Sequence, residues 1–316
     1  MSHKKVIAIV GATGAQGGSL ARAILNDKQS EFSVRAITRN ANSEKAQALK
    51  AMGAELIEAD VEDVRSLEKA FKGAYGVFCI TFFWEHFSPQ KEKQHARNMA
   101  EAAKKSNAKH VIWSSLEDTR QWVDVDDNRM PTLQGKYKVP HFDAKGEANK
   151  YFTDLNLPLT ILNTSFYWDN MIYFGMGPQR GEDGKLYLTM PMANKKLPGI
   201  AAEDIGKCAY GIFRNGSQYI GQTIGISGEY LTGFQMAEML SKALGQDVHY
   251  NAIDPAVFRS FDFPGAEDMG NMFQVKSEFE EEYCAGRDIE LSKSLNSDLQ
   301  SFENWLNTHK DKIPLS

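Results

Sequence analysis

Cysteine is scarce in this sequence: Cys79, Cys208 and Cys284 are far apart, odd in number and without a CxxC pair. Such a set excludes a disulfide framework and a thiolate zinc site, and it fits a reducing compartment. The seven histidines show no metal-ligand spacing, so no metal is expected. No apolar run approaches the ~20 residues of a membrane-spanning helix. The opening MSHKK leads directly into an apolar strand pattern, so no secretory signal peptide is expected. Excess positive charge is also absent. The net charge is −5 and no Lys/Arg stripe appears, which argues against direct nucleic-acid binding. Low-complexity tracts and internal repeats are missing. What is present, 42% hydrophobic and 24% charged residues in 316, suits a globular chain with one large α/β domain, or a large and a small one.

The stretch 4–27, KKVIAIVGATGAQGGSLARAILND, organises the rest. Its β-branched run at 6–10 predicts a buried parallel strand. Gly11, Gly14 and Gly17 follow, then a helical pattern with Leu20, Ile24 and Leu25 on one face. Strand, glycine turn and helix in this order form a dinucleotide site. Gly11 serves the tight turn, Gly14 the close approach of a pyrophosphate, and Gly17 helix–strand packing. The helix N-terminus then faces the anion.

The second strand, 32–38, ends in Arg39-Asn40. An acidic residue at this point suits a free ribose 2′-hydroxyl, whereas arginine suits a 2′-phosphate. Arg39, with no carboxylate beside it until Glu44, selects NADP(H). The third strand, 54–59, ends at Asp60-Val61, residues that flank the adenine in this architecture. Asp60 equally suits the N-cap of the helix that follows. The fourth strand, 75–81, runs through Thr81 into Phe82-Phe83-Trp84 at the carboxyl edge of the sheet, where ligands bind in open α/β folds. Lys93, early in the next helix, is within reach of a phosphate or the nicotinamide ribose. The fifth strand is 109–115, the sixth 159–166, the latter ending at Tyr167, Trp168, Asp169 and Asn170. Repeated βαβ units predict a Rossmann-type, doubly wound parallel sheet with a smaller α/β C-terminal domain. The expected division is 1–167 for the dinucleotide domain and 168–316 mostly for a substrate or interaction domain, with elements near 200–228 returning to the main sheet. The loop 116–140 is long and aperiodic, and ordering of this loop on cofactor binding is one expectation.

Short-chain dehydrogenases carry their chemistry at a serine like Ser114 or Ser115, and on a helix with tyrosine and lysine four residues apart. Here that helix has His141 and Lys145 at the i, i+4 spacing. The lysine is kept and the tyrosine is replaced. Tyr137 lies four residues earlier, beyond Pro140, which removes it from the same helix face. Histidine can donate a proton near neutral pH. His141 as acid and Lys145 as ribose anchor therefore stand beside a purely cofactor-binding role.

GATGAQGG at 11–18, Thr38-Arg39-Asn40, HFDAKGE at 141–147, FYWDN at 166–170, DGKLYL at 183–188 and FPGAEDMGNMF at 263–273 resemble the NmrA-like family, atypical members of the short-chain dehydrogenase/reductase superfamily. The resemblance covers nearly the full length and is nearest to animal members. It implies NADP(H) held by Gly11, Thr13, Gly14, Ala15, Gln16, Gly17, Arg39, Asn40, Asp60, Val61, Thr81, Phe82, Phe83, Lys93, Lys145 and Tyr167 to Asn170. It also implies a redox sensor that binds a regulatory protein partner or shifts a monomer–dimer equilibrium. A cytoplasmic location follows from the resemblance, with the nucleus left open as a second compartment. Other relatives are NADPH-dependent reductases of quinones or small carbonyl compounds, so a small-molecule substrate is the alternative. Phe82, Phe83, Tyr167 and Trp168 would then wall the substrate.

Overall fold

The computed structural model describes residues 4–315. In chain order the first half runs β1 (Lys5–Ile9), α1 (Ala15–Asn26), β2 (Phe32–Thr38), α2 (Glu44–Ala51), β3 (Glu55–Glu58), α3 (Val64–Phe71), β4 (Gly76–Cys79), α4 (Pro89–Ser106), β5 (His110–Ser115), α5 (Pro140–Asp154) and β6 (Leu159–Asn163). The second half runs β7 (Phe166–Tyr167), α6 (Asn170–Tyr173), β8 (Gln179–Arg180), β9 (Leu186–Met190), β10 (Lys196–Ile200), α7 (Ala202–Arg214), β11 (Thr223–Gly225), β12 (Glu229–Thr232), α8 (Gly233–Leu244), β13 (Val248–Ala252), α9 (Pro255–Arg259), α10 (Ala266–Glu278), α11 (Glu280–Ala285), α12 (Ile289–Leu295) and α13 (Phe302–His309).

Seven strands form one parallel sheet in the order β11-β6-β5-β4-β1-β2-β3. The order reverses between β1 and β4, which opens a crevice at their carboxyl ends. One face is covered by α1 and α7, the other by α3, α4 and α5. Each face has its own apolar core: Ile7, Ile9, Leu20 and Phe213 on one, Val77, Met99, Trp113 and Phe152 on the other. This is the Rossmann-type fold that the βαβ pattern predicts, with a largely helical C-terminal part.

The expected sixth strand divides in two. β6 ends at Asn163, and Phe166-Tyr167 leave the main sheet to pair in parallel with β10, which pairs antiparallel with β12. A third small sheet has the order β13-β9-β8. Pro198 and Gly199 hid β10 from a propensity reading, and α11 and α12 are too short for a clear helical period. These C-terminal elements enclose a third core around Trp168, Phe302 and Trp305. Asp63, not Asp60, caps α3: its side chain accepts the Arg65 N–H, while Asp60 accepts the Glu62 N–H within the preceding turn.

The loop 116–140 is tied down by buried polar bonds. Asp143, in the first turn of α5, accepts the backbone N–H groups of Thr119, Lys138 and Val139 at 2.8 to 3.0 Å. The Lys138 ammonium donates to the carbonyls of Asp127 and Met130 and to the Thr132 hydroxyl. Burial accounts for the raised pKa of the Asp143 carboxyl, which these hydrogen bonds oppose.

Candidate functional site

The turn between β1 and α1 is shaped by close contacts. Gly11 has φ +64°, and a Cβ on Gly17 would sit 2.5 Å from the Gly11 carbonyl oxygen. Only a glycine lets α1 begin this close to β1. On Gly14 the same atom would lie 3.3 Å from that oxygen, a tighter approach than usual but a lesser conflict. Helix α1 has no side-chain cap and no acidic residue in its first turn. Thr13 is half-buried, and Gly14 and Ala15 are exposed at the mouth. Exposed N–H groups without a competing carboxylate suit a bound anion. Gln16 points inward. It donates to the Tyr167 hydroxyl and accepts from the Ser114 hydroxyl at 2.7 Å, and Tyr167 also meets Thr164 at 3.2 Å. Burial raises the Tyr167 phenol above its ordinary pKa.

Arg39 and Asn40 are exposed at the end of β2. The Arg39 guanidinium pairs with Glu85, which lies just past β4. The carboxylate missing from the neighbouring sequence is thus supplied from 46 residues away. Asp60 is exposed, and the half-buried Val61 gives its carbonyl to Asn98 at 2.8 Å.

At the end of β4, Thr81 and Phe83 are buried while Phe82 is 55% exposed. Lys145 reaches this edge from α5. Its ammonium donates to the Thr81 hydroxyl at 2.5 Å and pairs with Glu92 at 2.8 Å. Glu92, on α4, is fully buried and also accepts from Thr81 at 2.5 Å. Its second oxygen faces His86 Nε2 at 3.4 Å. His141 turns to another partner: Nδ1 lies 2.6 Å from Asp268 of α10, whose other oxygen accepts the His141 backbone N–H at 3.1 Å. The Trp84 ring lies 4.7 Å from the imidazole, centroid to centroid.

Several expected residues are engaged with partners within the protein. The Lys93 ammonium donates to Glu147 at 2.6 Å and to the Tyr137 hydroxyl at 3.3 Å, apart from the Lys145–Glu92 pair. Tyr137 is fully buried there. Trp168 is 1% exposed and packs on Phe302 and Trp305, so its side chain walls no substrate; the polar neighbours of that tryptophan in sequence disguise a core position. Asp169 accepts the Ala202 N–H at 2.8 Å, at the start of α7, and Asn170 is half-buried in α6. Glu85, Glu92 and Asp268 are the site residues that pattern reading missed. Asp268 lies inside FPGAEDMGNMF, a stretch distinctive as a motif but silent about its partner.

Comparison with known proteins agrees with this architecture. A model described as the NmrA-like family matches residues 3–306. An NmrA-like family domain-containing protein of Dictyostelium discoideum is 28% identical over 312 residues, covering 96% of this chain and 97% of that one. The NmrA-like family domain-containing oxidoreductase FrzB of a Cladobotryum species is 30% identical over 290 residues, covering 85% and 82%. Among solved structures, NmrA, a negative transcriptional regulator, in complex with NADP has a TM-score of 0.78 at 24% identity, covering 97% of this chain and 95% of its own. NmrA in complex with NAD gives the same values. Glycine turn, strand order and full-length similarity coincide: this chain belongs to the NmrA-like family and has its NAD(P)-binding type of fold.

Proposed function

We propose that the chain binds NADP(H) across the carboxyl edge of its seven-stranded sheet and acts as a sensor of that cofactor. The pyrophosphate would lie on the turn from Gly11 to Gly17 at the N-terminus of α1. Arg39 and Asn40 would take the 2′-phosphate, Asp60 and Val61 the adenine, and Lys145 the nicotinamide ribose. Thr81, Phe82 and Phe83 would border the nicotinamide, whose hydride is the chemistry the cofactor brings. The ion pair between Lys145 and Glu92 carries the sensor reading. In a dehydrogenase of this superfamily the lysine lowers the pKa of a tyrosine. Here its charge is balanced by a buried carboxylate, and His141 replaces the tyrosine four residues away. Binding residues are kept while the usual acid is gone.

A sensor needs different affinities of its two states for a partner or a second copy. The test is sedimentation and partner binding across an NADPH titration, with binding followed by protein fluorescence. Association state or partner affinity should move with occupancy; invariance across a saturating titration refutes the sensor. The choice of NADP(H) has its own test. Arg39→Ala should weaken NADPH ~10–100-fold, the loss of a charge-assisted contact, while NADH binding stays within ~3-fold. Equal losses for both cofactors would remove Arg39 as a 2′-phosphate ligand.

A second reading, an NADPH-dependent reductase of a quinone or small carbonyl, is favoured by the His141–Asp268 pair beside Trp84 and Phe83. The name of the relative FrzB as an oxidoreductase supports it. NADPH consumption with a panel of such acceptors separates the two readings.

A further inference from the structure

We propose that Asp268 is a positioning residue that fixes the His141 imidazole so that its Nε2 carries a proton to the oxygen of a quinone or carbonyl acceptor. The inference rests on the reductase reading and names the group that would complete it. It begins from a contact between distant elements: 127 residues separate the partners. Helix α10 starts after Gly265, at φ +89°, where a Cβ would lie 2.8 Å from the Trp84 ring. The first turn of α10 is therefore pressed against the aromatic segment after β4, and Asp268 lies in that turn.

Both Asp268 oxygens are committed to one residue. One accepts the His141 backbone N–H at 3.1 Å and the other meets Nδ1 at 2.6 Å. A carboxylate can only accept, so the ring carries hydrogen on Nδ1 whether it is neutral or charged. The proton that comes and goes must then be on Nε2. That atom makes no hydrogen bond among the described residues and is not among their fully buried unsatisfied polar atoms. Phe83, Trp84 and Phe142 surround the ring with centroids 5.9, 4.7 and 4.8 Å away. These flat apolar walls suit a planar conjugated acceptor. Lys145, one helical turn on, is held by Thr81 and Glu92 and does not compete as the acid.

The balance is that of a two-electron reduction. Bound NADPH supplies one hydride, forming a C–H bond at the acceptor carbon as the C=O π bond breaks, and is itself oxidised. The Nε2–H bond of His141 breaks and an O–H bond forms on the acceptor oxygen. A carbonyl acceptor gives an alcohol. A quinone gives a hydroxydienone, which becomes the hydroquinone once water takes the proton of the new C–H bond and supplies one to the second oxygen. Water also returns the proton to Nε2. Throughout, Nδ1–H stays on Asp268, which orients the ring and stabilises its charged form.

The test uses the full chain and has two readouts. The ¹⁵N spectrum of the His141 ring should show the Nδ1–H tautomer in the wild-type protein and lose it in Asp268→Ala. Asp268→Asn keeps an oxygen for the His141 backbone N–H, which guards against misfolding, and unchanged NADPH affinity verifies its fold. With an acceptor from a quinone and carbonyl panel, Asp268→Asn should lower kcat ~100-fold with KM within ~3-fold. His141→Gln should lose as much, and the double variant no more. An Nε2–H tautomer in the wild type, or full activity in Asp268→Asn while His141→Gln is inactive, overturns the positioning role. Absence of NADPH consumption across the panel, with the Nδ1–H tautomer present, refutes the reductase reading and leaves the pair structural.

Discussion

A carboxylate without exposed surface keeps its charge only where its partners outweigh the lost hydration. Glu92 meets that condition. Burial pushes its carboxyl up, but the Lys145 ammonium, the His86 ring facing its second oxygen and the hydrogen bond from Thr81 hold it at about 2, against an ordinary 4.5. A depressed carboxylate stabilises the fold above its unfolded pKa and loses that contribution as the pH falls through its folded pKa. The window therefore runs from 4.5 down to about 2, and the difference corresponds to about 3 kcal/mol. Glu92→Gln leaves Lys145 buried without its counter-charge and should cost about 3–5 kcal/mol at neutral pH. Denaturant unfolding from about pH 7 to pH 2 should show the two proteins converging as the wild type loses this term. A constant gap between the curves would mean that Glu92 does not hold the pair. None of this was legible in sequence. Arg39 was visible because its position follows from the end of β2, whereas Glu85, Glu92 and Asp268 act through contacts that local spacing does not encode.

At the level of elements, reading succeeded where the signal is local. The β-branched run of β1 and the three glycines specify strand, turn and helix within one short stretch, although α1 already begins at Ala15, so that Gly17 stands in its first turn and not ahead of it. The glycines differ in how little room they have, which turns the motif into a ranking. Gly17→Ala would set a Cβ 2.5 Å from the Gly11 oxygen and 2.9 Å from the Val10 oxygen, both backbone atoms that cannot swing away. Helix α1 must then move off β1, and overpacking of this kind costs about 1–3 kcal/mol or more. The same change at Gly14 meets its nearest atom at 3.3 Å. Gly17→Ala should therefore lower Tm and weaken NADPH by at least ~10-fold, and Gly14→Ala should leave Tm closer to wild type. Calorimetry and a fluorescence titration of both variants check this order, and a larger Tm loss in Gly14→Ala would contradict the geometry. The loop 116–140 shows the opposite case. Its lack of periodicity says nothing of how it is held, and Asp143 and Lys138 anchor it through bonds to backbone groups that carry no sequence pattern.

Across the whole molecule, the first 167 residues do not close their own sheet. β11 pairs with β6 through Thr223, Ile224 and Gly225 opposite Ile161, Leu162 and Asn163. Helix α7 covers α1 so closely that a Cβ on Gly206 would lie 2.2 Å from the Leu20 nitrogen. Ser19 donates to the Glu203 carbonyl, and the Tyr210 hydroxyl donates to Asp27 at 2.7 Å. A boundary at residue 167 would strip these partners away. It would expose Leu20, Ala21 and Ile24, all nearly or fully buried, and leave the edge of β6 unpaired. Exposed apolar stripes and open strand edges drive association. A fragment 1–167 should thus aggregate or melt without a cooperative transition, and a fragment 1–228, which restores α7 and β11, should recover part of the native far-ultraviolet signal and its cooperativity. Thermal melts of both fragments beside the full chain decide the matter. A soluble 1–167 monomer with a sharp transition and NADPH affinity near that of the full chain would show that the dinucleotide half folds alone. The opposite result makes the two halves one cooperative unit, in which a change at the crevice is felt at α7 through its packing on α1, the helix whose N-terminus would hold the pyrophosphate.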